Sequence, residues 1–582
     1  MPSWLSSVRA RAYPLTLGIA LLLLLGAGAG RTELAPYDAR DRMHPVYARQ
    51  GLVVAQEALA SQVGLAILQQ GGNATDAAVA VGFTLAVTLP QAGNLGGGGF
   101  LLVHDAANQR SEAIDFRETA PAAVGRDFYL NAQGEVDETR LRFHSQAAGV
   151  PGTVAGLALA HARHGRLPWR RLVEPALGLA KQGFPVSLEW AQSLQDVRER
   201  LASWPASRKI FFKPDGSAYS PGETFVQPDL AASLEQIAEQ GAKAFYEGEI
   251  AHKLVADLQA QQGTITLDDL KNYRAVVRAP VRGTYRGYEI VAMPPPSSGG
   301  VHLIQILNLL ETWPLGELGH NSAATIHRLA EAMKLAYADR SESLGDPDFV
   351  PAPVAGLVSK TYARDLAARI DPNRARPATD LQPGQPQRFE SEQTTHYSVV
   401  DRDGNAVAVT YTLNFPYGSG LVAAGTGILL NNEMDDFAAK PGVPNAYGLL
   451  GGAANAVAPG KRPLSSMTPA LVFKDGQLIL VTGSPGGSRI ITTVLQIVSN
   501  VIDFRLNLAE ATVAPRVHHQ WLPDELRVEE GLSPDTLRLL ESLGHRVMVR
   551  EAMGDAQSIL RAPDGWYGFS DTRRPGGLAV GY

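Results

Sequence analysis

The chain has 582 residues, 45% hydrophobic and 19% charged, enough to bury a sizeable core in one large layered unit or in several domains. A formal net charge of −6 without any basic tract excludes a nucleic-acid-binding footprint. Cysteine is absent, which excludes disulfides, thiol nucleophiles and Cys-based zinc or iron–sulfur sites.

The N-terminus carries Arg9 and Arg11, then an apolar run from Leu15 to Leu25, then the small residues Gly26 to Gly30. This order is that of a secretion signal, placed over residues 1–30. The apolar run is shorter than the ~20 residues a membrane-spanning helix needs, so cleavage is expected rather than anchoring. Export of a cysteine-free chain points to a bacterial periplasmic or secreted protein.

Gly51 to Ala55 reads as a short strand and Glu57 to Gln70 as a helix stopped by Gly71-Gly72. Asn73 or Thr75 can cap the next helix, Asp76 to Thr88, which is apolar nearly all round and is expected to be buried. Gly93 to Phe100 contains four consecutive glycines. It lacks Gly-Lys-Ser/Thr and leads into a strand, Phe100 to Val103, so it is no phosphate loop; the glycines fit close backbone packing. Arg117 follows an alternating apolar stretch and offers a fork suited to a carboxylate, although taken alone it reads as a structural ion-pair residue.

Residues 145–313 read as mainly helical, with helices at Gly152 to His164, Leu172 to Gln182, Pro228 to Gln240 and Ala242 to Leu258. A strand at Tyr288 to Ala292 precedes a Pro/Ser/Gly loop and a helix from Val301 to Leu310. Ala323 to Asp339 is a further helix. Residues 360–393, with few apolar positions and several prolines, are expected to form an exposed segment.

After Thr394 the pattern changes to strands. Tyr397 to Val400 and Ala406 to Thr412 flank Asp401 to Asn405 as a hairpin, and Ala470 to Phe473 and Gln477 to Thr482 form another around Lys474-Asp475-Gly476. Gly483-Ser484-Pro485-Gly486-Gly487-Ser488 then leads into an apolar helix, Arg489 to Val501. Such a turn presents backbone amides at a positive helix end, where an oxyanion is stabilised; it reads equally as a tight turn. Pro534 to Leu543 is a helix, and Ser558 to Leu560 with Trp566 to Phe569 a third hairpin. His518-His519 has no metal-ligand companions at a telling spacing and reads as structural.

Thr394 stands where the exposed segment meets the first strand. If the Gln393–Thr394 bond were cut, Thr394 would carry a free α-amine beside its own hydroxyl. That amine has a reference pKa of about 7.7–8.0, so nucleophile and base would be one residue. By themselves, residues 393–396 also read as an ordinary strand start.

Taken together, five blocks resemble the γ-glutamyltransferase family: Asp115 to Glu118, Thr394 to Val399, Asn431 to Phe437, Lys461 to Met467 and Gly483 to Ser488. The resemblance implies an α+β fold, the four-layer αββα sandwich of the N-terminal-nucleophile hydrolases. It implies a precursor that cuts itself into a large subunit, residues 31–393, and a small subunit, residues 394–582, which remain together as a heterodimer. Thr394 would be the nucleophile of both cleavage and catalysis, with Thr412 hydrogen-bonding beside it. Gly486 and Gly487 would form the oxyanion hole. Arg117, Ser465 and Ser466 would hold the donor's α-carboxylate, and Asn414, Glu433 and Asp436 its α-ammonium. A lid between Asp436 and Lys461, carrying Tyr447, would cover the donor, with Thr395 in support.

The implied reaction takes the γ-glutamyl group of glutathione or another γ-glutamyl amide onto Thr394 as an ester, then passes it to water or to an amino acid or dipeptide, without metal or organic cofactor. The rival on the same fold is an acylase for glutaryl or cephalosporin-type side chains. A non-catalytic periplasmic binding protein is the rival of another class. A Ser-His-Asp hydrolase is disfavoured by the lack of a Gly-x-Ser-x-Gly elbow.

Overall fold

The computed structural model describes residues 42–381 and 394–582. The signal segment 1–30 and Gln393 lie outside the described residues. Two antiparallel seven-stranded sheets lie at the centre. One runs Val46–Ala48, Gly565–Ser570, Gln557–Ala562, Gln477–Thr482, Ala470–Lys474, Tyr288–Ala292, Val281–Tyr285. The other runs Leu578–Gly581, Leu52–Ala55, Thr395–Val400, Ala406–Thr412, Gly98–Asp105, Arg110–Phe116, Val276–Arg278.

The strand period of two sends alternate side chains to opposite faces, and both faces of both sheets are covered. Leu52, Val54, Leu102 and Ala408 of the second sheet share one apolar core with Val291, Leu471, Val481 and Ile559 of the first. That core continues into the helices Gly299–Leu310, Ala323–Ser343 and Ile490–Ile502 on the far side of the first sheet. Val53, Leu101, Val399 and Val409 point the other way, into a second core with the helices Ala58–Gln69, Ala74–Thr88 and Thr153–His164. The result is a four-layer αββα sandwich. All fifteen residues of Ala74–Thr88 are buried, and its first turn is closed by a capping box between Asn73 and Asp76.

The glycine run does what close packing requires. A Cβ on Gly97 would lie 2.1 Å from the Thr412 carbonyl, and one on Gly99 2.4 Å from that of Thr410. These glycines let the Gly98–Asp105 strand and its approach lie flat against Ala406–Thr412.

Two expectations are corrected. The helix expected over Ala242 to Leu258 is two, Lys243–Tyr246 and Glu249–Ala260, because Gly248 adopts an extended conformation between them. The segment from residue 360 is not uniformly exposed. It forms the helix Lys360–Ala367, which buries Ala363 and Leu366, and Ala378 is buried as well. Main-chain bonds from Ala375 to the Leu543 carbonyl (2.7 Å) and from Ala378 to Asp524 Oδ2 (2.8 Å) tie the stretch down. Residues 382–393 lie outside the described residues. Among the described residues, no helix is long and apolar enough to cross a membrane.

Candidate active site

Hairpin register decides where Thr394 goes. Asp401 organises the turn: its Oδ1 accepts from the amides of Asp403 (2.9 Å) and Asn405 (3.0 Å), while Oδ2 accepts from Ala74 N at the buried helix (3.0 Å). The strands then pair Val400 with Ala406 through Thr395 with Tyr411. One step further, Thr394 faces Thr412. Thr394 shares its face with His396 and Ser398, the face between the sheets, and its hydroxyl meets that of Thr412 at 3.4 Å. Thr412 is fixed in turn by the Asn414 amide, which donates to its Oγ1 at 2.8 Å. Thr395 falls on the opposite face and takes no part in the pocket.

His396 is no base for Thr394. Its ring nitrogens are engaged by Thr410 Oγ1 (2.8 Å) and Ser398 Oγ (3.1 Å), and burial pushes its pKa down to about 3.

Thr394 and Thr412 lie in the wall of a small pocket, and most of the expected residues converge there: Arg117, Asn414, Glu433, Asp436, Tyr447, Ser465, Ser466 and Gly487. Gly486 lies on the other side of the same turn, in a second cleft that also reaches Thr394. The turn needs glycine, because φ is +134° at Gly486 and +55° at Gly487. It runs straight into the helix Ile490–Ile502, whose positive end therefore lies beside Thr394.

The charged wall is paired before any substrate arrives. The Arg117 guanidinium is fully buried; it binds Glu433 and Asp436 and lies 3.5 Å from Glu118. Burial alone would lower its pKa, but the three carboxylates raise it, so it stays charged. Burial, together with Glu118 and Asp436, holds Glu433 well above the ordinary carboxylate range against the pull of Arg117. Burial likewise pushes Glu118 up to about 7 against the same pull. Glu433 lines the pocket, and its Oε2 is buried without a hydrogen-bond partner, which is costly for a polar atom. Of the neighbouring aspartates only Asp436 lines the pocket. Asp435 turns away to Arg142 Nε (2.9 Å) and to the lid amide of Ala446 (3.2 Å).

One charged pocket residue lies outside the set expected from the sequence. Arg340 donates from Nε to Ser298 Oγ (2.9 Å) and from Nη2 to Ser466 Oγ (3.1 Å). Burial lowers its pKa to about 10, which leaves it cationic at neutral pH. The helix expected to stop at Asp339 continues to Ser343, and Arg340 falls on its buried face with Met333, Ala336 and Tyr337. A cation in register with that apolar stripe is the signal the sequence offers. Ser466 thus reaches the pocket together with a second arginine, while Ser465 Oγ accepts from the Met467 amide at 3.1 Å.

The loop between Asp436 and Lys461 packs against the pocket through Tyr447 and Leu449. Tyr447 OH bonds the Asn414 carbonyl at 2.9 Å and also its side-chain oxygen, and the Tyr447 carbonyl accepts from Gln520 Nε2 at 2.9 Å. Asn414, at φ +74°, also donates to the Asn432 carbonyl at 3.0 Å. His518 bonds Thr492 Oγ1 (2.8 Å) and Gln520 Oε1 (3.0 Å), a structural role as expected. A surface cleft around Ala202 to Pro214 contains none of the expected site residues.

This arrangement can present a hydroxyl nucleophile, amides for an oxyanion, and facing cationic and anionic groups for a zwitterion. The sequence matches the family Gamma-glutamyltranspeptidase over residues 60–581. It is 56% identical over 544 residues, 93% of each chain, to the glutathione hydrolase proenzyme of Escherichia coli strain K12. Among solved structures, cephalosporin acylase from Bacillus halodurans superposes with a TM-score of 0.81 at 28% identity, covering 95% of this chain and 99% of that one. A chain of Helicobacter pylori gamma-glutamyltranspeptidase matches with a TM-score of 0.55 at 42% identity, covering 62% of this chain and 99% of its own length. With the four-layer fold and the site assembled around Thr394, these likenesses identify the chain as an enzyme of the gamma-glutamyltranspeptidase family.

Proposed function

We propose that the protein is a γ-glutamyltransferase and glutathione hydrolase that matures by cutting itself before Thr394. In the precursor, the Thr394 hydroxyl attacks the Gln393 carbonyl, an ester forms by N-to-O shift, and water releases residues 394–582 with a new α-amine at Thr394. The two products, 31–393 and 394–582, stay together because strands of both build the same sheets. The mature hydroxyl, with the α-amine as base, attacks the γ-carbonyl of glutathione or a similar amide. The oxyanion is met by the amides of Gly486 and Gly487. The donor's α-carboxylate lies with Arg117, Arg340 and Ser466, and its α-ammonium with Glu433 and Asp436. Water or an amine then takes the γ-glutamyl group. The segment 1–30 directs export to the periplasm or beyond.

One observation carries this reading: the Thr394–Thr412 hydroxyl pair opens onto a pocket whose far wall holds buried charges of both signs, with Glu433 Oε2 lacking a partner. A γ-glutamyl donor has one zwitterionic end and one reacting carbonyl, and pairing both charges offsets their desolvation. The name borne by the E. coli relative and the length of the H. pylori chain, under two thirds of this one, support the activity and the processing.

The test is a denaturing gel with N-terminal sequencing of the smaller band. The parent is expected to give two bands, the smaller beginning at Thr394. Thr394→Ala is expected to remain one inactive chain, and Thr394→Ser, which keeps a hydroxyl, to be cut. Two normal subunits from Thr394→Ala would sink the assignment.

A further inference from the structure

Three metal-ligating side chains meet in the interior, and none of them lines the pocket at Thr394. His327 and Glu331 stand at i and i+4 on the buried face of the helix Ala323–Ser343, so both point the same way. His545 follows the helix Pro534–Ser542, its amide donating to the Leu540 carbonyl at 3.1 Å. His327 Nδ1 lies 2.8 Å from His545 Nε2, and with a carboxylate oxygen of Glu331 the three ligand atoms all lie within 4.8 Å of one another. All three residues are buried. They lie beneath the exposed stretch Asp371 to Arg374. The Asp371 carbonyl accepts from His327 Nε2 at 2.7 Å, and the Arg376 amide donates to Glu331 Oε2 at 3.3 Å. Glu331 Oε1 has no hydrogen-bond partner; Lys334 Nζ stands 2.5 Å from it as an ion pair, without the alignment of a hydrogen bond.

A carbonyl can only accept, so Asp371 fixes the hydrogen of neutral His327 on Nε2 and leaves Nδ1 as a bare lone pair. This is the outer contact that orients a metal-binding imidazole. Two imidazole nitrogens and a carboxylate oxygen are a donor set that zinc takes, with water in the fourth position. Imidazole ligands disfavour the hard cations calcium and magnesium. We propose that His327, Glu331 and His545 bind a divalent transition metal of the zinc type. The hydrogen between the two rings gives way to the ion, and His545 carries it on Nδ1 instead. Zn–N bonds of ~2.0–2.1 Å set two nitrogens about 3.3 Å apart at a tetrahedral centre, so the pair opens by about half an ångström. Lys334, which also donates to the Arg376 carbonyl, yields Glu331 to the ion. His327 and Glu331 precede Thr394 in the chain and His545 follows it. Resting on the self-cleavage reading above, the ion clips the two subunits together and takes no part in the chemistry at Thr394.

The experiment takes untagged, processed enzyme, strips it with EDTA and equilibrates it with Zn²⁺ or Co²⁺. The parent is expected to take up one ion per heterodimer by elemental analysis, with a higher Tm in the metal and, for cobalt, the visible bands of a nitrogen–oxygen site. His327→Gln, His545→Gln and the near-isosteric Glu331→Gln are each expected to weaken zinc binding by about tenfold or more. Lys334→Met removes the competing ammonium and is expected to tighten it. No stoichiometric uptake by the parent would overturn the proposal, as would equal uptake by the parent and all three ligand variants. Uncut Thr394→Ala is expected to bind zinc like the parent. A parent that binds zinc but runs as one band would therefore refute the self-cleavage reading while leaving the metal site standing.

Discussion

The carboxylates proposed to face the donor's α-ammonium make a quantitative prediction. Glutaryl p-nitroanilide differs from γ-glutamyl p-nitroanilide only by lacking the amino group. In the pocket, that ammonium would meet Glu433 Oε2, which has no other partner, and Asp436. A hydrogen bond to a charged group is worth about 1.5–3 kcal/mol, so two are worth about 3–6 kcal/mol. Arg117 already binds both carboxylates, so neither is left wholly unpaired when the ammonium is missing, and the lower half of that range applies. At about 1.4 kcal/mol per decade, kcat/KM for the glutaryl anilide is expected to be about 10²- to 10³-fold lower. Asp436→Asn is expected to narrow the gap by losing activity on the γ-glutamyl substrate rather than by gaining it on the other. The assay is initial-rate release of p-nitroaniline from both substrates by the processed enzyme. Equal kcat/KM in the parent would refute the ammonium assignment and favour the acylase, whose fold this chain shares.

Gly486→Val or Gly487→Val places a β-branched residue at positive φ in the turn proposed as the oxyanion hole, and loss of one oxyanion donor costs roughly 3–4 kcal/mol, so kcat should drop by two orders of magnitude or more in folded, cleaved protein; near-normal turnover would make the turn merely structural. Gly97→Ala drives a methyl to 2.1 Å from the Thr412 carbonyl and is expected to lower Tm sharply. Gly178→Ala, in the Trp169–Gln182 helix with nothing within 4 Å, is expected to stabilise by about 1 kcal/mol; indistinguishable Tm values for the two variants would contradict the packing argument. Burial holds His302, His396 and His518 at pKa values of about 3, against roughly 6.5 when unfolded. Below about pH 6.5 the unfolded chain therefore binds more protons, so their contribution, complete above that pH, falls by up to about 1.4 kcal/mol per histidine per pH unit toward pH 3. A Tm constant from pH 7 to 4.5 would show that these rings are not held neutral.

Local chemistry makes much of this protein legible in its sequence. The capped, wholly apolar helix at Ala74–Thr88, the three hairpins and the glycine run rest on short-range rules of capping, alternation and turn chemistry, and the structure bears each of them out. The residues gathered round Thr394 are reached in the sequence through the resemblance of five blocks to a known family, while taken singly they read as ordinary structural residues. The helix break at Gly248 and the packed stretch after residue 360 are not. There, tertiary contacts outweigh weak local preferences: buried Ala363 and Leu366 hold a helix in a segment whose composition reads as exposed.

What only the tertiary structure decided is which groups meet. Register, a property of the paired strands, places Thr394 rather than Thr395 between the sheets and opposite Thr412. The sandwich brings Arg117 onto Glu433 and Asp436 across more than 300 positions of chain. It also carries Arg340, on a helix of the opposite outer layer, to Ser466. No periodicity or motif encodes such a meeting. It follows from two sheets packing face to face, which converts alternation along each strand into one shared interior and sets groups distant in sequence within hydrogen-bonding reach.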